Sequence, residues 1–252
     1  MAQWWEGNVY PDAGEVVGWR ETRLLREGEV VSYPPAMVRE RTVAGSAAPP
    51  ASQESNGDRA ARRARTRLRR YSVANRLRYM WVLTFAPDAQ GVQEFDLRRA
   101  KRATSAWVRR LRIDLGYQGA YVLGWERHKS GAWHVNVLIG SRVEHEAVAG
   151  SWGHGNVWVS LHKGRQGESM RDAARRAAAY VAKYVSKEFS EAGEEGVHRY
   201  EVAQGFQLRV VRVFALSASG IVEEAGGEVV YRFDAPTSES LRGPPIVWAA
   251  FH

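Results

Sequence analysis

The chain contains no cysteine. That single absence excludes disulfide staples, thiolate zinc sites and cysteine nucleophiles together, and it fits a reducing compartment. There is no run of about 18 apolar residues, so no membrane-spanning helix and no membrane partner are expected. The stretch from Met1 to Glu6 has no basic segment leading into an apolar one, so no secretory signal is expected. No G-x-x-x-x-G-K-S/T loop is present, which argues against an ATPase that unwinds duplex within this chain. No internal repeat of about 20 to 50 residues is visible.

What is present is basic. The 252 residues carry a formal net charge of +8 and a pI near 9.9, with 44% hydrophobic residues. That hydrophobic share suffices for a real core, in one domain of moderate size or one domain with extensions. The charge favours a polyanionic partner, nucleic acid before membrane surface. Composition divides the chain into an N-terminal extension and linker at 1–57, a central domain at 58–190 and a β-rich C-terminal extension at 191–252. Short strands are expected at Glu15–Val17 and Glu29–Tyr33. The Ala, Pro and Ser-rich stretch from Ala44 to Asp58 reads as a linker.

The central domain opens on a basic helix with seven arginines in the twelve residues from Arg59 to Arg70. Arg62, Arg63, Arg65, Arg67, Arg69 and Arg70 are the candidates for phosphate contacts. The alternative is a solvated face, since Leu68, Tyr71 and Val73 are too few to bury a helix. Tyr79–Phe85 reads as a buried strand. Phe95–Leu115 reads as an amphipathic helix, with Leu97, Ala100, Thr104, Trp107, Val108 and Leu111 at helical spacing. Strands at Ala120–Glu126 and Trp133–Ile139 form a hairpin. A short helix at Glu144–Trp152, a strand at Val157–His162 and a helix at Ser169–Phe189 follow. Further strands are expected at Gln207–Leu216, Glu228–Phe233 and Ile246–Phe251. This order predicts an α+β fold, a central antiparallel β-sheet with helices on its faces.

Chemistry gathers on the hairpin. His134 and Asn136 share one face of their strand, about 7 Å apart, with Val135, Val137 and Ile139 on the other. An imidazole and an amide oxygen so placed suit a divalent ion. Glu126 and His128 on the preceding strand join that face if the hairpin loop has odd length, with Glu126 opposite Asn136 and His128 opposite His134. An even loop puts Glu126 on the opposite face from His134. The bland alternative is a polar hairpin without metal.

In the last central helix, Met170, Ala174, Ala177, Ala178, Val181 and Val185 form an apolar stripe. Tyr180 and Tyr184 lie at its shoulder, with Lys183 and Lys187 on the same flank. A phenol becomes a nucleophile when a nearby cation stabilises its anion, and a lysine also neutralises phosphate. The bland alternative is an amphipathic pair at a core edge. Trp152 and Trp158 are candidates to stack bases, although Trp158 reads preferentially as a core residue. His145, His154, His162 and His198 have no identifiable partners.

Tyr180-Val-Ala-Lys-Tyr-Val-Ser-Lys187 resembles the tyrosine motif of the HUH endonucleases, and most closely that of the rolling-circle replication initiators of plasmids and small phages (the gene A-like type). The His134–Asn136 strand and Trp81-Val-Leu-Thr-Phe85 are similar to the two motifs that precede it, so the resemblance covers roughly Tyr79 to Phe189. It departs where Asn136 stands for a second histidine. The resemblance implies an RRM-like palm and a Mg²⁺ or Mn²⁺ ion on His134, Asn136 and Glu126, with His128 a lesser substitute for Glu126. It implies nicking and rejoining of single-stranded or hairpin origin DNA through a 5′-phosphotyrosine on Tyr180 or Tyr184, with Tyr180 and Lys183 favoured if one tyrosine acts alone. A separate helicase, a host DNA polymerase and the cytoplasm of a bacterial host are the implied setting. A transposase of the same chemistry shares every motif, although the short chain leans toward an initiator. A relaxase usually places its tyrosine before the histidine strand. A non-catalytic origin-binding protein is the alternative of another class, and Asn136 keeps it open.

Overall fold

The structure, a computed structural model, describes residues 2–23, 56–87, 96–128, 130–160, 168–190, 200–235 and 245–251; side chains at 2–3, 21–23, 56–59, 160 and 183–190 fall outside that description. The fold is α+β, with two antiparallel sheets and five α-helices among the described residues. Contacts divide the chain into two compact units, Asn56–Phe206 and a second assembled from both ends, Met1–Ser55 with Gln207–His252.

In the terminal unit, β1 (Ala2–Tyr10), β2 (Glu15–Arg23), β8 (Val211–Ala215), β9 (Val229–Ala235) and β10 (Ile246–Phe251) form one sheet in the order β8-β1-β2-β10-β9. Helix α5 (Ala218–Ala225) buries Ile221 and Val222 against Val9, Val16, Val213 and Val247. The two ends of the sequence therefore share one core. The strand expected at Glu29–Tyr33 and the linker stretch up to Ser55 lie outside the described residues.

The central unit is three-layered. Strands β3 (Tyr79–Thr84), β4 (Tyr121–Arg127), β5 (Trp133–Ile139), β6 (Val157–Ser160) and β7 (Tyr200–Val202) order as β6-β3-β5-β4-β7. One sheet face, with Trp81, Leu83, Leu123, Trp125, Val135 and Val137, packs on α2 (Leu97–Ile113) and α3 (His145–Trp152). Asp96 caps α2 by accepting the Arg98 N–H at 2.8 Å. The stripe expected for α2 is its buried face, except that Leu97 is only partly buried. Thr104 is buried with its hydroxyl satisfied, donating to the Ala100 carbonyl at 2.7 Å and accepting from the Trp125 indole at 3.3 Å.

The other sheet face packs on α1 (Asn56–Ala74) and α4 (Met170–Ser190). Here the reading of α1 as too polar to bury is corrected. Ala61, Ala64, Leu68 and Tyr71 recur at three- and four-residue spacing, and all are buried. The alanines complete the stripe because α1 lies directly on α4, itself alanine-faced at Ala174, Ala177 and Ala178. Met170, expected on that stripe, is exposed in the first turn. Ser169 caps α4, its hydroxyl accepting the Asp172 N–H at 3.1 Å and donating back to the Asp172 carboxylate at 2.6 Å.

Two phenols sit deep in the central unit. Tyr71 donates to the Ala203 carbonyl at 3.0 Å, and Tyr117 donates to the Ala120 carbonyl. Burial pushes both phenols above their ordinary pKa. Unfolded chains ionise these groups near pH ~10 while the folded chain keeps them protonated. Stability is therefore fully present below that pH. It falls as pH rises from there through the folded values, by about 1.4 kcal/mol per pH unit for each tyrosine. Denaturant titrations from about pH 9 to pH 11 should show this decline, and Tyr71→Phe should make it shallower; a profile flat across that range would contradict it.

Candidate active site

The hairpin decides the site. Glu126 pairs with His134, Gly124 with Asn136 and Arg127 with Trp133. His128 N–H donates to the Ala132 carbonyl at 2.8 Å, which leaves positions 129–131 as the loop. The loop is odd, so Glu126, His134 and Asn136 share one face. The register differs from the expected one: Glu126 faces His134 instead of Asn136, and His128 faces Ala132 instead of His134. A two-position register shift preserves the face, which is why the constellation survives it. His128 is exposed and engaged with its own loop through Ser130, its ring centre 6.4 Å from that of His134.

The three side chains meet at one oxygen. Glu126 Oε2 lies 3.0 Å from His134 Nε2 and accepts the Asn136 Nδ2–H at 3.1 Å. Asn136 is buried, while the side chains of His134 and Glu126 keep 16% and 19% of their surface open to a substrate. Ligands side by side around a Mg²⁺-sized ion bound at about 2.1 Å are themselves about 3 Å apart, and the Glu126–His134 spacing matches that. A half-turn of the Asn136 amide would bring Oδ1 to the same point. Among the described residues, no three His, Asp or Glu side chains gather to hold a metal. This site offers two such groups and an amide, a lean set that suits an ion keeping water and phosphate oxygens in its shell.

Neighbouring elements fix the constellation. Thr84 at the end of β3 pairs with His134 on the same face. Its hydroxyl donates to the Asn156 carbonyl at 3.1 Å and accepts the Asn156 N–H at 3.1 Å, and its own carbonyl accepts the Trp152 indole N–H at 2.8 Å. Trp152 is thus a buried clamp on β3 and not a base-stacking residue. It packs edge-on with Phe85 and Trp107 at 5.1 and 6.1 Å. Gly155, at φ +156°, passes so close that a Cβ there would lie 2.4 Å from the Thr84 carbonyl oxygen. His145 contacts the Val157 carbonyl at 2.9 Å, and His154 packs edge-on with Trp152; His162 and His198 lie outside the described residues.

Helix α4 crosses the same face. Gly124, beside Asn136 in the sheet, is where it comes closest: a Cβ on Gly124 would lie 3.5 Å from Val181 Cγ1. The adjoining Tyr180 is 39% exposed, at a shoulder of the helix and open to a substrate. Tyr184, Lys183 and Lys187 continue α4, their side chains outside the described residues. Gly124 is a site-positioning residue that sequence reasoning missed; its signal was a glycine inside an apolar strand, which marks close backbone approach. Gly124→Ala should cost little, because that contact is ordinary. Gly124→Leu should lift α4 and lower stability by about 1–3 kcal/mol, read as a fall in thermal midpoint. Equal midpoints for the two variants would remove this account of how α4 is placed.

On α1, Arg62, Arg63, Arg65 and Arg67 are exposed, and Arg69 and Arg70 are half-buried. The helix thus turns its alanines to α4 and much of its positive charge to solvent.

Among the described residues, no helix is long and apolar enough to cross a membrane. Comparison with curated proteins and with solved structures gives no match. A family model of replication-associated proteins, of the ORF2 and gene II protein type, matches residues 83–189. That stretch holds Thr84, both strands of the hairpin and nearly all of α4, and the similarity supports placing the chain with rolling-circle replication initiators.

Proposed function

We propose that the chain is a replication initiator that nicks and rejoins single-stranded DNA through a tyrosine, starting rolling-circle replication. The observation that carries this reading is the convergence of Glu126, His134 and Asn136 on the sheet face that α4 crosses next to Tyr180. All of these residues lie within the segment similar to replication-associated proteins.

Their roles follow from position. The phenol oxygen of Tyr180 or Tyr184 forms a bond to phosphorus as the bond to the 3′ oxygen breaks. The phenolic proton is released, the 3′ oxygen takes up a proton, and the 5′ end remains as a phosphotyrosine. The 3′ hydroxyl then primes a host polymerase. Attack by a later 3′ hydroxyl on the phosphotyrosine reverses the step and rejoins the strand. Lys183 and Lys187, on the helix that carries the tyrosines, balance phosphate charge. Glu126 orients both His134 and Asn136. A Mg²⁺ or Mn²⁺ ion held by His134, Asn136 and Glu126 would supply Lewis-acid polarisation of the scissile phosphate. The exposed arginines of α1 hold the DNA backbone. The substrate is an origin in single-stranded or hairpin form, opened by a separate helicase, in a plasmid or phage replicon of a bacterial cell.

Incubation with origin-bearing single-stranded DNA and Mn²⁺ should yield a covalent protein–DNA adduct that survives denaturing electrophoresis. No adduct over a range of metals and origin sequences would sink the enzymatic reading and leave a non-catalytic DNA-binding protein. A transposase of the same chemistry would form the adduct on transposon ends and not on a replication origin.

A further inference from the structure

The central unit holds six tryptophans. Trp81, Trp107, Trp125, Trp133 and Trp152 are 0–3% exposed, whereas Trp158 is 61% exposed. The sequence reading of Trp158 as core is thereby corrected. Its flanking residues, Val157 and Val159, point to the opposite face, and Val157 is buried there. The reason for the difference is topological: β6 is an edge strand, so nothing packs beside it on the outer side.

The register fixes where the indole points. Trp158 pairs with Val82, Val82 with Asn136 and Asn136 with Gly124. Trp158 therefore stands in the same cross-strand row as Asn136, on the face that carries Glu126, His134 and Thr84. Two inter-strand steps separate it from Asn136, about 10 Å. Tryptophan has about 150–250 Å² of surface to bury, and here most of it is left in water beside a polar constellation. The occupant that suits a flat, exposed π-face next to a phosphate-handling site, in a chain of net charge +8, is an unpaired nucleobase.

We infer that Trp158 is a base-stacking subsite that holds one nucleotide close to the scissile phosphate and so fixes the path of the single strand across the sheet. This rests on the single-stranded DNA reading above and adds a positioning contact to it. Stacking tolerates any base, so the subsite sets register along the strand more than sequence.

The test is binding of fluorescently labelled single-stranded origin DNA by the wild-type chain, Trp158→Ala and Trp158→Phe, each against a set of oligonucleotides carrying one abasic position. Trp158→Ala should weaken binding by about tenfold, and Trp158→Phe by much less. One abasic position should weaken wild-type binding by a similar factor, and that penalty should vanish in Trp158→Ala. Unchanged affinity in Trp158→Ala overturns the inference, as does an abasic penalty that persists in it. The two readings fail separately. A chain that shows the coupling but forms no adduct loses the nicking reading and keeps the Trp158 contact. A chain that forms the adduct, with Trp158→Ala binding as wild type, does the reverse.

Discussion

Replacing Tyr180 and Tyr184 together with phenylalanine is expected to abolish the covalent adduct, a loss of more than about a thousand-fold, because no nucleophile remains on α4. The cause is chemical and not structural. Tyr180 is exposed at the shoulder of α4 while Ala177, Ala178 and Val181 hold the helix on the sheet, so removing a hydroxyl leaves the packing in place. Circular dichroism and thermal midpoint should be close to wild type. The single variants divide the labour. If one tyrosine acts alone, Tyr180→Phe reproduces the double variant and Tyr184→Phe does not. If both act, each single variant still forms an adduct, but rejoining through the second tyrosine is lost. Adduct formation that persists in the double variant ends the tyrosine mechanism.

Glu126→Gln should lower adduct formation by about 100-fold or more, with little change in fold. One oxygen of Glu126 lies within hydrogen-bonding distance of both His134 and Asn136. Glutamine keeps the shape but removes the negative charge, so the imidazole and the amide lose the anion that organises them and a divalent ion loses its anionic ligand. Raising Mn²⁺ should restore part of the rate, because the defect lies in holding the ion. Single-stranded DNA affinity should stay near wild type. Full activity at low Mn²⁺ would place Glu126 outside the catalytic set.

Periodicity makes much of the fold legible. Thr104, Trp107, Val108 and Leu111 can be assigned to the core of α2 because a helix repeats every 3.6 residues and a single apolar stripe has one way to face a sheet. β1, β7 and α5 are not legible in this way. Trp4 and Trp5 sit among polar residues with no clean alternation, β7 is three residues long, and α5 is eight. Nothing in a linear reading joins the two ends either, because β1 and β2 pair with β8 and β10 from the far end of the chain. The burial of α1 escapes a linear reading for a related reason: alanine counts for little in a hydropathy scan, yet two alanine-faced helices approach closely enough to exclude water.

What the sequence determined by itself is the chemistry on offer: a basic chain without thiols, a strand carrying His134 and Asn136, a helix carrying two tyrosines and two lysines, and a short hairpin loop. A strand has only two faces, so the parity of that loop decides whether Glu126 joins His134. What the tertiary structure decided is which partner each group meets. It made the loop odd and set Glu126 against His134 through the hydrogen-bond register. It brought α4 down on the sheet at Gly124, where no side chain keeps the helix away. And it left Trp158 at an open edge beside the site, because the order of strands in a sheet is fixed by long-range pairing and is not written in the local pattern around any one residue.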